Sequence, residues 1–187
     1  MFKNVARSIL KLLRIPKAVP TDEELCKWTI DTIKTHGGRI GRNFSLYSSF
    51  IDLSTPYLIN IGDNVTITGA RILTHDASLF KTIGYTKVGH VTIGNDVFIS
   101  NGCIILPETT IGDKVVIGAG VIVAKDVPSN SVIVGNPWRV LCTYDEYVEK
   151  TRQKMDEWPV IDAKPCAILK RQEDIDKLVK ARHGFVR

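Results

Sequence analysis

The chain holds only four cysteines among 187 residues, Cys26, Cys103, Cys142 and Cys166, and no two of them form a C-x-x-C pair. That scatter excludes a disulfide scaffold and a cysteine-rich zinc site, and it suits a reduced, cytoplasmic compartment. Histidine is as scarce, with four residues, so no metal is expected. No apolar run approaches the roughly 20 residues needed to span a membrane. Aromatic residues make up 7% of the chain, and no basic stretch carries the interleaved rings of a nucleic-acid groove, so nucleic acid is not an expected partner. The formal net charge of +5 suits an anionic ligand or a membrane surface without demanding either.

What the sequence does hold is a period of six. From Ile93 it reads IGNDVF, ISNGCI, ILPETT, IGDKVV, IGAGVI, VAKDVP. Each hexad opens on an aliphatic residue, and four residues later comes a second small or β-branched one, such as Val97, Cys103 or Thr109. Neither a helix nor a half-buried strand has this period; a parallel β-helix of hexapeptide repeats does. Each hexad makes one short strand and one turn, and three hexads close a coil of about eighteen residues. Ile93 and Ile111 therefore stack. Glycine at Gly94, Gly112 and Gly118 is expected to relieve an unusual backbone conformation at the corner. Cys103 occupies an inward position and reads as an inert core thiol.

Further hexads start at Ile40, Ile61 and Ile67, while residues 52 to 60 lose the register. The expected organisation is a helical N-terminal segment (1–39), a β-helix of four to six coils (40–141) with a loop at 76–90, and a helical extension (142–187). Thr21-Asp-Glu-Glu24 fits a capping box for a helix running to about Thr35. Asp145 to Met155 and Gln172 to Arg182 read as helices that pack on a subunit or cover the open end of the coils. Residues 1–17 carry five basic residues, no acid and an apolar stripe. The charges break the apolar run and no cleavage site follows, which argues against a secretory leader. Packing on a neighbouring subunit and peripheral contact with an anionic membrane both remain open for this segment.

The motifs I-G-x-x-V-x-I (Ile93 to Ile99), I-G-A-G (Ile117 to Gly120), K-D-V-P (Lys125 to Pro128) and G-N-P (Gly135 to Pro137) strongly resemble the hexapeptide-repeat acyltransferases. The branch these motifs most resemble is that of the maltose, galactoside and polysaccharide O-acetyltransferases. The resemblance covers roughly residues 60 to 141. It implies a left-handed parallel β-helix, a homotrimer with its active site between subunits, and transfer of an acetyl group from acetyl-CoA to a carbohydrate hydroxyl. A surface polysaccharide or its precursor is the expected acceptor.

The family's catalytic histidine, placed just before the loop that interrupts the coils, maps onto His75. A sugar hydroxyl is a poor nucleophile near neutral pH, and an imidazole can take its proton as the thioester is attacked. His90 is the alternative base. Asp76 or a backbone carbonyl is expected to orient the ring. For the donor, the resemblance assigns Asn101 and Ala119, one coil apart, to the pantetheine arm, and Lys125 and Arg139 to the CoA phosphates. Phe98 stands where the family commonly has tryptophan. Pro107-Glu108 replaces the usual proline-glycine pair, and Trp138 replaces a small residue. The acceptor-contacting segment matches poorly across Leu46 to Leu58.

Three rivals share the fold. An N-acetyltransferase acting on an amino sugar or nucleotide sugar uses the same donor. Many of those enzymes carry an extra α/β domain, for which the chain has no room. A γ-class carbonic anhydrase needs three zinc-binding histidines, and only His75 and His90 lie near the repeat. A non-catalytic assembly protein would have no reason to interrupt its coils at His75.

Overall fold

The computed structural model describes residues 20–162 and 171–186. The basic segment 1–17 and Cys166 lie outside the described residues. From Arg39 to Val134 the chain winds as a three-sided prism whose sides are parallel ladders of two- to four-residue strands.

The period of six follows directly from this geometry. On the first face Ile40 pairs with Ile61, Ile61 with Ile93, and Ile93 with Ile111. On the second, Leu46, Ile67, Ile99, Ile117 and Ile133 stack in register. On the third, Ile51, Ile72, Ile105 and Val123 do the same. All three columns point inward and are at most 6% exposed. Each buried branched side chain contributes about 1.5–3 kcal/mol relative to solvent, so the three columns are the fold's main source of stability. Val97, Cys103, Thr109, Val115, Val121 and Val127 fill the space between them and are also buried.

The corner glycines act differently from the expectation. Gly94, Gly112 and Gly118 do not have positive φ; at the corner that holds Gly94 and Gly112 the residues that do are Asn43, Asn64, Asp96, Lys114 and Asn130, one in each coil and two positions beyond the glycine where there is one, whereas at the next corner Gly69, Gly102 and Gly120 do. Gly94 is required instead by the closeness of the coils. A β-carbon there would meet the backbone of Gly112 at 2.7 Å and the Asp113 carboxylate at 2.5 Å.

Both ends of the prism are covered. Helix α1 (Asp22–Thr35) starts at the Thr21–Glu24 capping box and lays Ile33, with Leu25, Cys26 and Ile30, against the first coil. At the other end the strand Arg139–Thr143 turns antiparallel onto Ser131–Val134 and closes that sheet edge. A second capping box, Thr143 with Glu146, then starts the helix Tyr144–Glu157. The helix Gln172–Ala181 follows.

The coils are unequal. Equivalent corner residues are 18 apart between Asn95 and Asp113, 21 apart between Arg42 and Asp63, and 32 apart between Asp63 and Asn95. The surplus residues fall in two places. One is the stretch after Ile51, which holds a 3₁₀ turn at Pro56–Leu58. The other is a hairpin after Ile72, in which His75–Asp76 pairs antiparallel with Lys87–Val88 around a short turn of helix, Phe80–Ile83.

Candidate active site

The two irregularities meet. Because Ile51 stacks beneath Ile72, the next residue, Asp52, donates its backbone N–H to the Ile72 carbonyl at 2.9 Å. Its side chain thereby reaches Thr74 and His75. One carboxylate oxygen of Asp52 accepts the Thr74 N–H at 3.2 Å and the Thr74 hydroxyl at 2.8 Å, and also contacts His75 Nδ1. The other accepts the Ser54 N–H at 3.1 Å and the Ser54 hydroxyl at 2.6 Å. Thr55 and Thr74 hydroxyls close the network at 2.7 Å.

Asp52 is 3% exposed. Burial by itself pushes its carboxyl pKa up, but the hydrogen bonds from Ser54, Thr74 and His75 outweigh that and hold it well below the usual carboxylate range. The group therefore stays ionised at neutral pH. A carboxylate can only accept, so the proton between it and the imidazole belongs to Nδ1. The ring's remaining lone pair is then on Nε2, on a side chain that is 41% exposed. This arrangement fixes a histidine in one tautomer and makes its outer nitrogen a base.

Asp76 does not orient the ring. Its carboxylate accepts the Ser78 N–H at 2.8 Å and shapes the start of the hairpin, and the bonds from Ser78 lower its pKa. The orienting group is neither Asp76 nor a backbone carbonyl but Asp52, 23 residues upstream. It lies in the stretch where the hexad register is lost. The available signal was the stacking itself: carrying the 21-residue offset of the first coil onward from Ile51 to Ile72 places Asp52 beneath the His75 turn. His90 lies at the far neck of the hairpin, exposed, and its carbonyl accepts the Thr109 N–H at 3.2 Å.

The departure at Pro107-Glu108 also has a structural explanation. Glu108 takes the positive φ, +62°, that glycine adopts most easily, and its carboxylate grips Lys87 of the hairpin at 2.7 Å. The next coil thus ties down the neck of the loop that begins with His75.

The other sequence-derived candidates fall on separate edges of the prism. Asn101 and Ala119 share the corner between the second and third faces, where the Asn101 carbonyl accepts the Gly120 N–H at 2.9 Å. Both are exposed. Lys125 lies at the opposite edge of the third face, on the His75 side. Its ammonium rests 4.7 Å from the centroid of the Trp138 ring. Arg139 is exposed and opens the antiparallel strand opposite Val134. Phe98 points outward from the second face between Thr66 and Val116, at 41% exposure. Within the chain the third face therefore separates His75 and Lys125 from Asn101 and Ala119.

Among the described residues no group of three or more histidine, cysteine or acidic side chains has metal-binding geometry. No helix among them is long and apolar enough to cross a membrane.

Residues 90–125 match the family model described as bacterial transferase hexapeptide (six repeats). The galactoside O-acetyltransferase of Escherichia coli K12 is 41% identical over 110 residues, covering 54% of this chain and 52% of that one. Protein CapG of Staphylococcus aureus is 40% identical over 135 residues, covering 67% of this chain and 77% of that one. The chain thus spans about half the length of some curated relatives and most of another. A solved galactoside acetyltransferase in complex with coenzyme A superimposes with a TM-score of 0.50 at 26% identity, over 71% of this chain and 76% of that one. The fold is the left-handed parallel β-helix that the resemblance implied. Repeat, fold and relatives agree: the chain belongs to the hexapeptide-repeat transferase family.

Proposed function

We propose that the chain is an acetyl-CoA-dependent O-acetyltransferase acting on a carbohydrate hydroxyl, with His75 as general base. The observation that carries this reading is the buried Asp52 carboxylate bonded to His75 Nδ1 at the break in the coils. A spacer protein gains nothing from burying an ionised carboxylate against an exposed imidazole. The donor is supported by the relatives named acetyltransferases and by the neighbour solved with coenzyme A. The acceptor class is supported by the galactoside O-acetyltransferase among them.

In the reaction, His75 Nε2 removes the hydroxyl proton as the oxygen attacks the thioester carbon. Asp52 stabilises the imidazolium that forms. A backbone N–H is the expected donor to the developing oxyanion. When the tetrahedral intermediate collapses, the C–S bond breaks and the departing thiolate takes the proton back from Nε2. The products are the acetyl ester and free CoA, and the imidazole is neutral again.

The split of the candidate residues across the third face supports a homotrimer. A site formed between protomers joins the His75 edge of one to the Asn101 and Ala119 edge of the next. Phe98, Lys125 and Arg139 would complete the donor site. The hairpin that begins at His75 carries exposed apolar side chains, Leu79, Phe80, Ile83 and Tyr85, which suit a large acceptor such as a surface polysaccharide or its precursor. Contact of residues 1–17 with an anionic membrane surface belongs to this proposal, and absence of binding to anionic vesicles would remove it. The scattered free thiols Cys26, Cys103 and Cys142 accord with a cytoplasmic setting.

The test is release of CoA thiol from acetyl-CoA across a panel of sugars, amino sugars and nucleotide sugars, with His75→Ala beside the native chain. Turnover with a hydroxyl acceptor, lost by about 10²-fold or more in the variant, is the expected result. Turnover confined to amines would replace O- by N-acetylation, and turnover that survives in the variant would overturn the role of His75.

A further inference from the structure

We infer that Trp138 is a positioning residue that aims Lys125 and so sets the protein's preference for the 3′-phosphorylated form of its nucleotide donor. This deepens the acetyl-CoA reading and rests on it.

The turn that carries Trp138 is bolted to the coil that carries Lys125. Asn136 Oδ1 accepts the Ile122 N–H at 2.8 Å, and Asn136 Nδ2 donates to the Gly120 carbonyl at 2.7 Å. Those two bonds fix the Gly135–Trp138 turn over the last parallel coil, three residues before Lys125. The indole is half-buried and lies against the hydrophobic core, and the ammonium of Lys125 sits over its ring, 4.7 Å from the centroid. The indole Nε1 has no hydrogen-bond partner among the described residues, so the ring acts through its faces.

A lysine normally spreads over many rotamers, and the entropy lost on fixing it weakens any contact it makes. Here the π face holds the ammonium in one place at an exposed site, a bond worth about a two- to five-fold change in an equilibrium. The ammonium has three N–H donors, and a ring beneath it takes up one side while leaving the others for an anion. No carboxylate among the described residues pairs with Lys125 or with Arg139. The neighbouring Asp126 spends a carboxylate oxygen on the Thr110 N–H at 2.7 Å. An aligned cation with no carboxylate partner among the described residues is suited to a phosphate monoester on a nucleoside. The 3′-phosphate is the group that distinguishes CoA from 3′-dephospho-CoA.

The experiment is calorimetric titration of the whole 187-residue chain with CoA and with 3′-dephospho-CoA. The native protein is expected to bind CoA about ten-fold more tightly, and Trp138→Leu, which keeps an apolar side chain without a π face, to cut that ratio about three-fold. Trp138→Phe is expected to restore most of it. Lys125→Met is expected to lower the ratio by more than Trp138→Leu, and adding Trp138→Leu to it to change nothing further. A ratio unaltered by Trp138→Leu, or an equal loss for both ligands, would overturn the inference, since a packing role weakens both alike. Additive losses in the double variant would overturn it as well. Native protein that binds neither ligand would overturn the acetyl-CoA reading itself, a result distinct from all of these.

Discussion

Between Ile93 and Val123 the chain returns to the same face every 18 residues, while between Arg42 and Asn95 the same three faces are kept at offsets of 21 and then 32. The regular stretch has a scaffold for its interior and offers only its outer surface to a donor. Its inward columns are buried aliphatic residues, its corners approach too closely for a side chain at Gly94, and Asp113, Asp126 and Ser129 use side-chain oxygens to accept backbone N–H groups of the neighbouring coil. The irregular stretch gives up register and gains chemistry. Its first insertion supplies Asp52, Ser54 and Thr55, and the corner stacked on it supplies Thr74 and His75. A perfect prism has no place for a buried carboxylate, because each inward position faces three apolar columns. Only where the coil swells do enough N–H and O–H donors gather to keep an acid ionised away from water.

If this division holds, damage to the two regions will read out differently. The largest effect is expected at His75. His75→Ala should lower kcat by about 10²- to 10⁴-fold with little change in the unfolding midpoint, measured by thiol release and by thermal melts. Ile117→Ala, in the centre of the regular second face, should do the reverse. It should cost about 2–5 kcal/mol in denaturant unfolding and leave turnover per folded molecule close to native. A variant that loses both in parallel would break the comparison.

Asp52→Asn comes next and sharpens it. The amide keeps the shape but not the charge, and it can present a donor to Nδ1, favouring the wrong tautomer. A fall in kcat of about ten-fold or more is expected, with KM for acetyl-CoA nearly unchanged. Asp52 also predicts a pH dependence of stability. Its folded pKa lies below that of an unfolded aspartate, so the stabilisation is complete above about pH 4 and is lost as pH falls through the folded value. Acid titration of unfolding free energy should therefore be flatter in Asp52→Asn than in the native chain at low pH, and coincident slopes would contradict the assignment. The smallest effect is expected from Glu108→Gln, which releases Lys87 at the neck of the hairpin. An exposed ion pair of this kind is screened by solvent, so a change in acceptor KM of a few-fold or less is expected in steady-state assays.

The period of six determined the fold by itself. An aliphatic residue at every sixth position has few other ways to be buried, and the spacing alone stacks Ile93 on Ile111. His75 could be singled out as a candidate because its segment matches a family motif at the edge of a loop. The capping box at Thr21 was legible because it is local, with donor and acceptor three residues apart. Asp52 was not legible. Its link to His75 spans 23 residues, and the insertion between them removes the period that would have predicted the contact. The unusual backbone angle was misassigned to Gly94, Gly112 and Gly118 for a related reason. A sequence shows where small residues recur, but not whether a backbone angle or a neighbouring coil demands them.

Lys125 and Trp138 show the same limit. Each was visible as a charge or as a departure from a motif, and only the turn fixed by Asn136 brought them together. The sequence by itself determined what repeats, because repetition is an energetic requirement that each coil imposes on the next. The tertiary structure decided what meets across the breaks in that repetition, because there the partners are chosen by stacking in space rather than by spacing along the chain.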